Sequence, residues 1–175
     1  GGSAGGYADM LKRHLHQKMY GVAGIGEKHE VYNFAKPGAT AEFVRDTFSG
    51  FLKTYRNKGR VIAIISVGGN NARAANTPDN FVSTIESFQA TMEGLLQKIK
   101  VEVDQVIVLG YRPYDETKTL PKPNPLTGGK SYFWNGRTKM FENALEKICA
   151  ALGIKFLGLN IPEEEWINTC LYDDG

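Results

Sequence analysis

The stretch Val61-Ile62-Ala63-Ile64-Ile65-Ser66-Val67-Gly68-Gly69-Asn70-Asn71 decides the fold. Its first half is a nearly unbroken β-branched run, which suits a parallel strand buried on both faces. Its second half is two glycines followed by two asparagines. The chain therefore passes from its most apolar segment straight into a polar turn. In open α/β sheets, ligands bind outside the carboxyl ends of the strands. Glycine lets the backbone turn tightly and approach a ligand closely. Asn70 offers a neutral side-chain N–H donor at that place. A strand followed by an ordinary Gly-Asn turn reads from the same residues.

Working outward, three more strands are predicted: Glu30–Phe34, Gln105–Leu109 closed by Gly110, and Ile154–Leu159. Helical spacing predicts a first helix over Tyr7–Met19, with Ala8, Leu11, Leu15 and Met19 in one apolar stripe. Thr40 caps a second helix with the stripe Val44, Phe48, Phe51, Leu52 and Tyr55. Thr77-Pro78 reads as the cap and first turn of a third, running through Phe81, Ile85, Phe88, Met92, Leu95, Leu96 and Ile99. Asn135–Leu152 is a fourth, with Met140, Phe141, Ala144, Leu145, Ile148 and Leu152 inward and Gly153 as its stop. Pro162–Leu171 reads as a short helix and a turn, with Trp166 and Ile167 packing down. The glycines of Gly1–Gly6 read as a linker or as a turn leading into the first helix. Strands alternating with helices give an α/β fold, a three-layer α/β/α sandwich with a mainly parallel, flavodoxin-like sheet.

The long segment Tyr111–Lys130 leaves the carboxyl end of a strand. Loops of that length in compact domains are usually functional or mobile. Tyr111, Tyr114 and Trp134 are candidate substrate-binding side chains; they suit a loop's own small core equally well.

A chain of 175 residues is long enough for one domain with a real core. The formal net charge of +2 is too small to argue for nucleic acid or a membrane surface. No apolar run is long enough to span a bilayer. Of the two cysteines, Cys149 falls on the apolar side of a helix and reads as a buried free thiol. His14, His16 and His29 lack metal-ligand spacing, so no metal and no cofactor is expected.

Four stretches in order carry a resemblance. Gly1-Gly2-Ser3 runs into the first helix. Gly38 lies in Asn33-Phe34-Ala35-Lys36-Pro37-Gly38-Ala39-Thr40. Gly68-Gly69-Asn70-Asn71 follows the central strand, and Asp174-Gly175 closes the chain. The chain resembles the SGNH (GDSL-type) serine hydrolases, which carry Gly-Asp-Ser, a glycine, Gly-x-Asn-Asp and Asp-x-x-His at these places. The resemblance implies a serine esterase acting on small acyl or glycan esters. Ser3 and Asp174 would be catalytic. The Ser3 N–H, Gly38 N–H and Asn70 side chain would form the oxyanion hole, with Asn71 near the substrate. Gly2 and Asn71 stand where the family has aspartates. No histidine follows the last strand, and no strand precedes Ser3. Residues 1–175 are therefore expected to be one domain lacking its first strand and its C-terminal histidine. A catalytically inactive relative that binds acylated glycans or a protein is the competing expectation. An unrelated flavodoxin-like binding domain is a third.

Overall fold

The computed structural model describes residues 6–21, 26–56, 59–125 and 127–171. The chain divides into two compact units after Pro37. In the first, helix α1 spans Tyr7–Tyr20. The Asp9 carboxylate accepts the Gly6 N–H at 3.2 Å, satisfying one of the free donors at the helix start. Met19 is buried, and Ala8, Leu11 and Leu15 are half-buried. Glu30–Phe34 is not a strand. Tyr32 and Phe34 point the same way and stack at 6.2 Å, as alternate residues of an extended chain do, but no ladder pairs the segment among the described residues.

The second unit begins at Gly38. Its elements are α2 (Ala41–Tyr55), β1 (Ile62–Ile65), a one-turn helix α3 (Gly69–Ala72), β2 (Ala74–Ala75), α4 (Ile85–Glu102) and β3 (Gln105–Leu109). After these come α5 (Glu116–Thr119), β4 (Lys122–Pro123), β5 (Lys130–Tyr132), α6 (Asn135–Leu152), β6 (Lys155–Leu157) and α7 (Glu163–Thr169). A mixed α/β architecture results. Strands β1, β3 and β6 form a parallel sheet in the order β1-β3-β6, with Ile65 opposite Val108 and Leu109 opposite Leu157. Long helices cross between them, α4 from β1 to β3 and α6 from β3 to β6, as parallel pairing requires.

The core lies between one face of this sheet and the helices. Ala63, Ile65, Val106 and Val108 pack with Phe88, Met92, Leu95, Leu96 and Ile99 of α4 and with Phe141, Leu145 and Cys149 of α6. Each large apolar side chain so buried contributes roughly 1.5–3 kcal/mol. The opposite face of β1 departs from the expectation of burial on both sides: Ile62 is 49% exposed and Ile64 39%. Alternate residues of a strand face opposite ways, so a layer on one side leaves the other set out. Met140 is likewise exposed, because it lies off the Phe141-Ala144-Leu145 stripe that meets the core. Tyr55 is also exposed at the last position of α2.

The third long helix begins later than expected, at Ile85, where the Thr84 hydroxyl accepts the Ser87 N–H at 3.1 Å. Thr77-Pro78-Asp79-Asn80 makes a tight turn instead. The Ala75 N–H donates to Asn80 O at 2.9 Å, and Ala74 bridges Phe81. Proline followed by Asp-Asn is turn chemistry, and it prevails here over the cap reading. Ala74-Ala75 then pairs with β5, and β5 with β4, in a second, antiparallel sheet ordered β2-β5-β4. Tyr111–Lys130 is thus partly ordered by α5 and β4. The buried Thr119 hydroxyl ties it to Phe133 O at 3.3 Å.

Candidate active site

All three strands of the parallel sheet run the same way, so their carboxyl ends share one edge. The Gly68–Ala72 turn and the segment from Gly110 both leave that edge. Gly68 has φ 125°, a region that other residues adopt only under strain. Gly68 turns the chain out of the sheet into α3, where the Ala72 N–H closes one helical turn on Gly68 O at 3.0 Å. Asn70 sits on that turn and is half-buried.

The side chain of Asn70 reaches the loop that opens the unit. Its Nδ2 donates to Ala39 O at 3.0 Å. Gly38, the preceding residue, is exposed with φ 78°. The structure therefore brings Asn70 and the Gly38 loop together. An amide nitrogen carries two hydrogens, so one N–H of Asn70 remains for a further acceptor.

Asn71 is fully buried, and every polar atom of its side chain is engaged. Its Oδ1 accepts the Ala41 N–H at 2.9 Å, and its Nδ2 donates to Glu42 Oε2 at 3.0 Å and to Ser83 Oγ at 2.9 Å. A side chain with no exposed surface has no place for a substrate atom. This corrects the expectation that Asn71 contacts substrate. Glu42 also accepts from Thr91 at 3.3 Å. Burial alone would raise the Glu42 carboxyl, but hydrogen bonds from Thr40, its own backbone, Asn71 and Thr91 together hold it below the usual carboxylate range.

The segment after β3 borders the same turn. The Tyr111 ring occupies the space that a Cβ on Gly68 would fill, and a Cβ on Gly69 would stand 2.7 Å from the Tyr114 hydroxyl. Asn135, the first residue of α6, pins Tyr114 from both sides. Its Oδ1 accepts the Tyr114 N–H and its Nδ2 donates to Tyr114 O, each at 2.8 Å. Burial pushes the Tyr114 hydroxyl up to about 12. Burial, then the proximity of Tyr114 and Glu142, pushes Tyr111 higher still. Both stay protonated donors near neutral pH. The Tyr111 hydroxyl has no hydrogen-bond partner among the described residues. Trp134 stacks on Tyr132 at 5.7 Å and meets the edge of Phe81 at 5.9 Å, so its ring is part of a local aromatic cluster. Ser3 and Asp174 lie outside the described residues.

Glu42, Ser83 and Arg137 were not singled out in the sequence. Arg137 donates to Ala72 O at 2.8 Å and Ser83 O at 2.6 Å, holding the end of α3 to the start of α4, with Phe81 3.8 Å from its guanidinium carbon. Its signal was an arginine four residues before Phe141, on the inward stripe of α6. Among the described residues no cluster of metal-ligating side chains occurs, and no helix is long and apolar enough to cross a membrane.

Solved structures share this fold. The lipase/acylhydrolase from Enterococcus faecalis is 19% identical with a TM-score of 0.60, over 85% of this chain and 62% of that one. The psychrotrophic esterase EstA from Pseudoalteromonas sp. is 13% identical with a TM-score of 0.64, over 99% and 76%. The acetylxylan esterase from Geobacillus stearothermophilus is 15% identical with a TM-score of 0.57, over 89% and 64%. The chain thus spans less than two thirds of the Enterococcus and Geobacillus proteins. No curated protein matches the sequence. Residues 1–162 match the GDSL-like lipase/acylhydrolase family, so the chain is a member of that family.

Proposed function

We propose that the protein is a serine esterase that hydrolyses small acyl esters, acetyl esters among them, through an acyl-enzyme. The observation that carries this reading is the Asn70 amide held at 3.0 Å against Ala39 O, beside the left-handed turn at Gly38. That contact holds a neutral side-chain donor against the Gly38–Ala39 segment, which supports a reading in which the Asn70 amide and the Gly38 N–H face one carbonyl oxygen. Two such donors stabilise the oxyanion that forms when a nucleophile adds to an ester carbonyl.

Ser3 is the proposed nucleophile, and its own N–H the third donor. Its hydroxyl adds to the carbonyl carbon, and the alcohol departs with a proton. Water then attacks the acyl-serine and releases the acid. Asp174 is proposed to orient the histidine that takes and returns these protons. His14, His16 and His29 all precede the sheet in the chain, and none of them is proposed for that role. Tyr111, Tyr114 and Trp134 are proposed to line the acyl or alcohol side. An acetyl group on a glycan is supported by the likeness to an acetylxylan esterase.

A fluorophosphonate probe on the full-length protein tests the nucleophile. A single covalent adduct on Ser3, lost in Ser3→Ala, is expected. Asn70→Ala should lower kcat on p-nitrophenyl acetate by roughly 10²–10³, as for other oxyanion donors. An adduct elsewhere, or unchanged turnover in Asn70→Ala, overturns the assignment.

A further inference from the structure

We propose that Asn71 and Glu42 form a charge-matched clamp that sets the spacing between the Gly38 N–H and the Asn70 amide. The inference rests on the oxyanion-hole reading above and adds to it a pair of positioning residues. The two asparagines grip one short segment with opposite polarity. Asn70 donates to Ala39 O, while Asn71 accepts from Ala41 N. The two bonds form together in this one register, so the pair fixes the Gly38 loop on the turn after β1.

Only an amide serves at position 71 while position 42 is a glutamate. The Asn71 Nδ2 spends its hydrogens on Glu42 Oε2 and Ser83 Oγ. An aspartate there would set carboxylate against carboxylate at about the same separation, a strongly repulsive contact when both are ionised. Glu42 cannot turn away freely, since its other oxygen holds Thr91 at 3.3 Å. Glu42 also lies in the first turn of α2, where a helix favours negative charge. The charge thus belongs on position 42 and the amide on position 71. Moving the charge to 71 demands the amide at 42. In the exchanged pair, the side-chain amide at position 42 would donate to the carboxylate at position 71. Thr91 would still donate to the amide oxygen at 42, and the carboxylate at 71 would still accept from the Ala41 N–H.

The test compares the full-length parent with Asn71→Asp, Glu42→Gln and the double variant, by p-nitrophenyl acetate kinetics and by thermal unfolding. Asn71→Asp should lower kcat on the order of 10²-fold, as small misplacements of catalytic groups do, with KM little changed. Its melting temperature should fall. The double variant should recover most of both losses, and Glu42→Gln alone should be the milder single change. A general weakening of the fold would not be repaired by a second substitution. A double variant no better than Asn71→Asp overturns the clamp, as does a loss carried by KM. Should the parent hydrolyse no ester, the esterase reading fails on its own. The melting temperatures then decide the clamp by the same criterion.

Discussion

Replacing Gly68 by alanine perturbs the turn that aims Asn70, through two separable effects. The first is backbone strain. At φ 125° a residue with a Cβ is held in a sparsely populated region, at a cost of roughly 1–3 kcal/mol. The second is steric. The new Cβ would coincide with the outer end of the Tyr111 ring, 2.8 Å from Cε1 and nearer still to Cζ and the hydroxyl. Tyr111 is largely buried and backed by Tyr114, so it has little room to retreat. Overpacking of this kind costs roughly 1–3 kcal/mol. The sum is about 2–6 kcal/mol, which for a chain of this length lowers the melting temperature by roughly 10 °C. Gly38→Ala is the internal control. Its φ of 78° also calls for glycine, but nothing lies within 4 Å of a Cβ there. Only the backbone cost of roughly 1–2 kcal/mol should appear. Chemical denaturation of Gly68→Ala in the parent and in a Tyr111→Leu background separates the two effects. The steric part should vanish with the ring, leaving a coupling of roughly 1–3 kcal/mol. Equal costs in both backgrounds would falsify the claim that Tyr111 packs into the space left by Gly68.

Two further outcomes follow from buried groups. Tyr111→Phe removes a buried hydroxyl without a partner among the described residues, so the variant should melt at or slightly above the parent. A clear loss of stability would mean that the hydroxyl is satisfied in solution. Cys149 is buried, and burial pushes its thiol up to about 11, while Cys170 is exposed. At pH 8 a thiol reagent should label Cys170 in the native protein and reach Cys149 only on unfolding; two fast thiols would contradict the packing of α6.

Much of the candidate site was legible before folding was considered. Gly68-Gly69-Asn70 stood out because a β-branched run ended abruptly on residues suited to a turn. Gly38 stood out because it follows a proline. Asn71 was legible as a position but not in its role. Its neighbours in sequence say nothing of Glu42, which lies 29 residues away and meets it only when α2 docks beside α3. Arg137 was hidden for the same reason. On a helix wheel it reads as an interruption of an apolar stripe, and its two carbonyl partners belong to the turns around α3 and α4.

By itself the sequence determined the elements that local chemistry can encode. Gln105–Leu109 and Asn135–Leu152 were bounded correctly, because period and terminating glycines act within a few residues; Gly153 indeed adopts φ 64° at the end of α6. The alternation of such elements was enough for a parallel α/β sheet. Tertiary structure alone decided the rest. Strands β2, β4 and β5 are two or three residues long, too short for any periodicity; β4 pairs with nearby β5, and β2 exists because folding brings it against β5 far along the chain. It also decided which face of β1 is covered, since a run of isoleucines is apolar on both sides and burial depends on where the helices land. Periodicity is a property of neighbours, whereas a pairing or a buried polar contact is chosen by whichever distant group packing brings within reach.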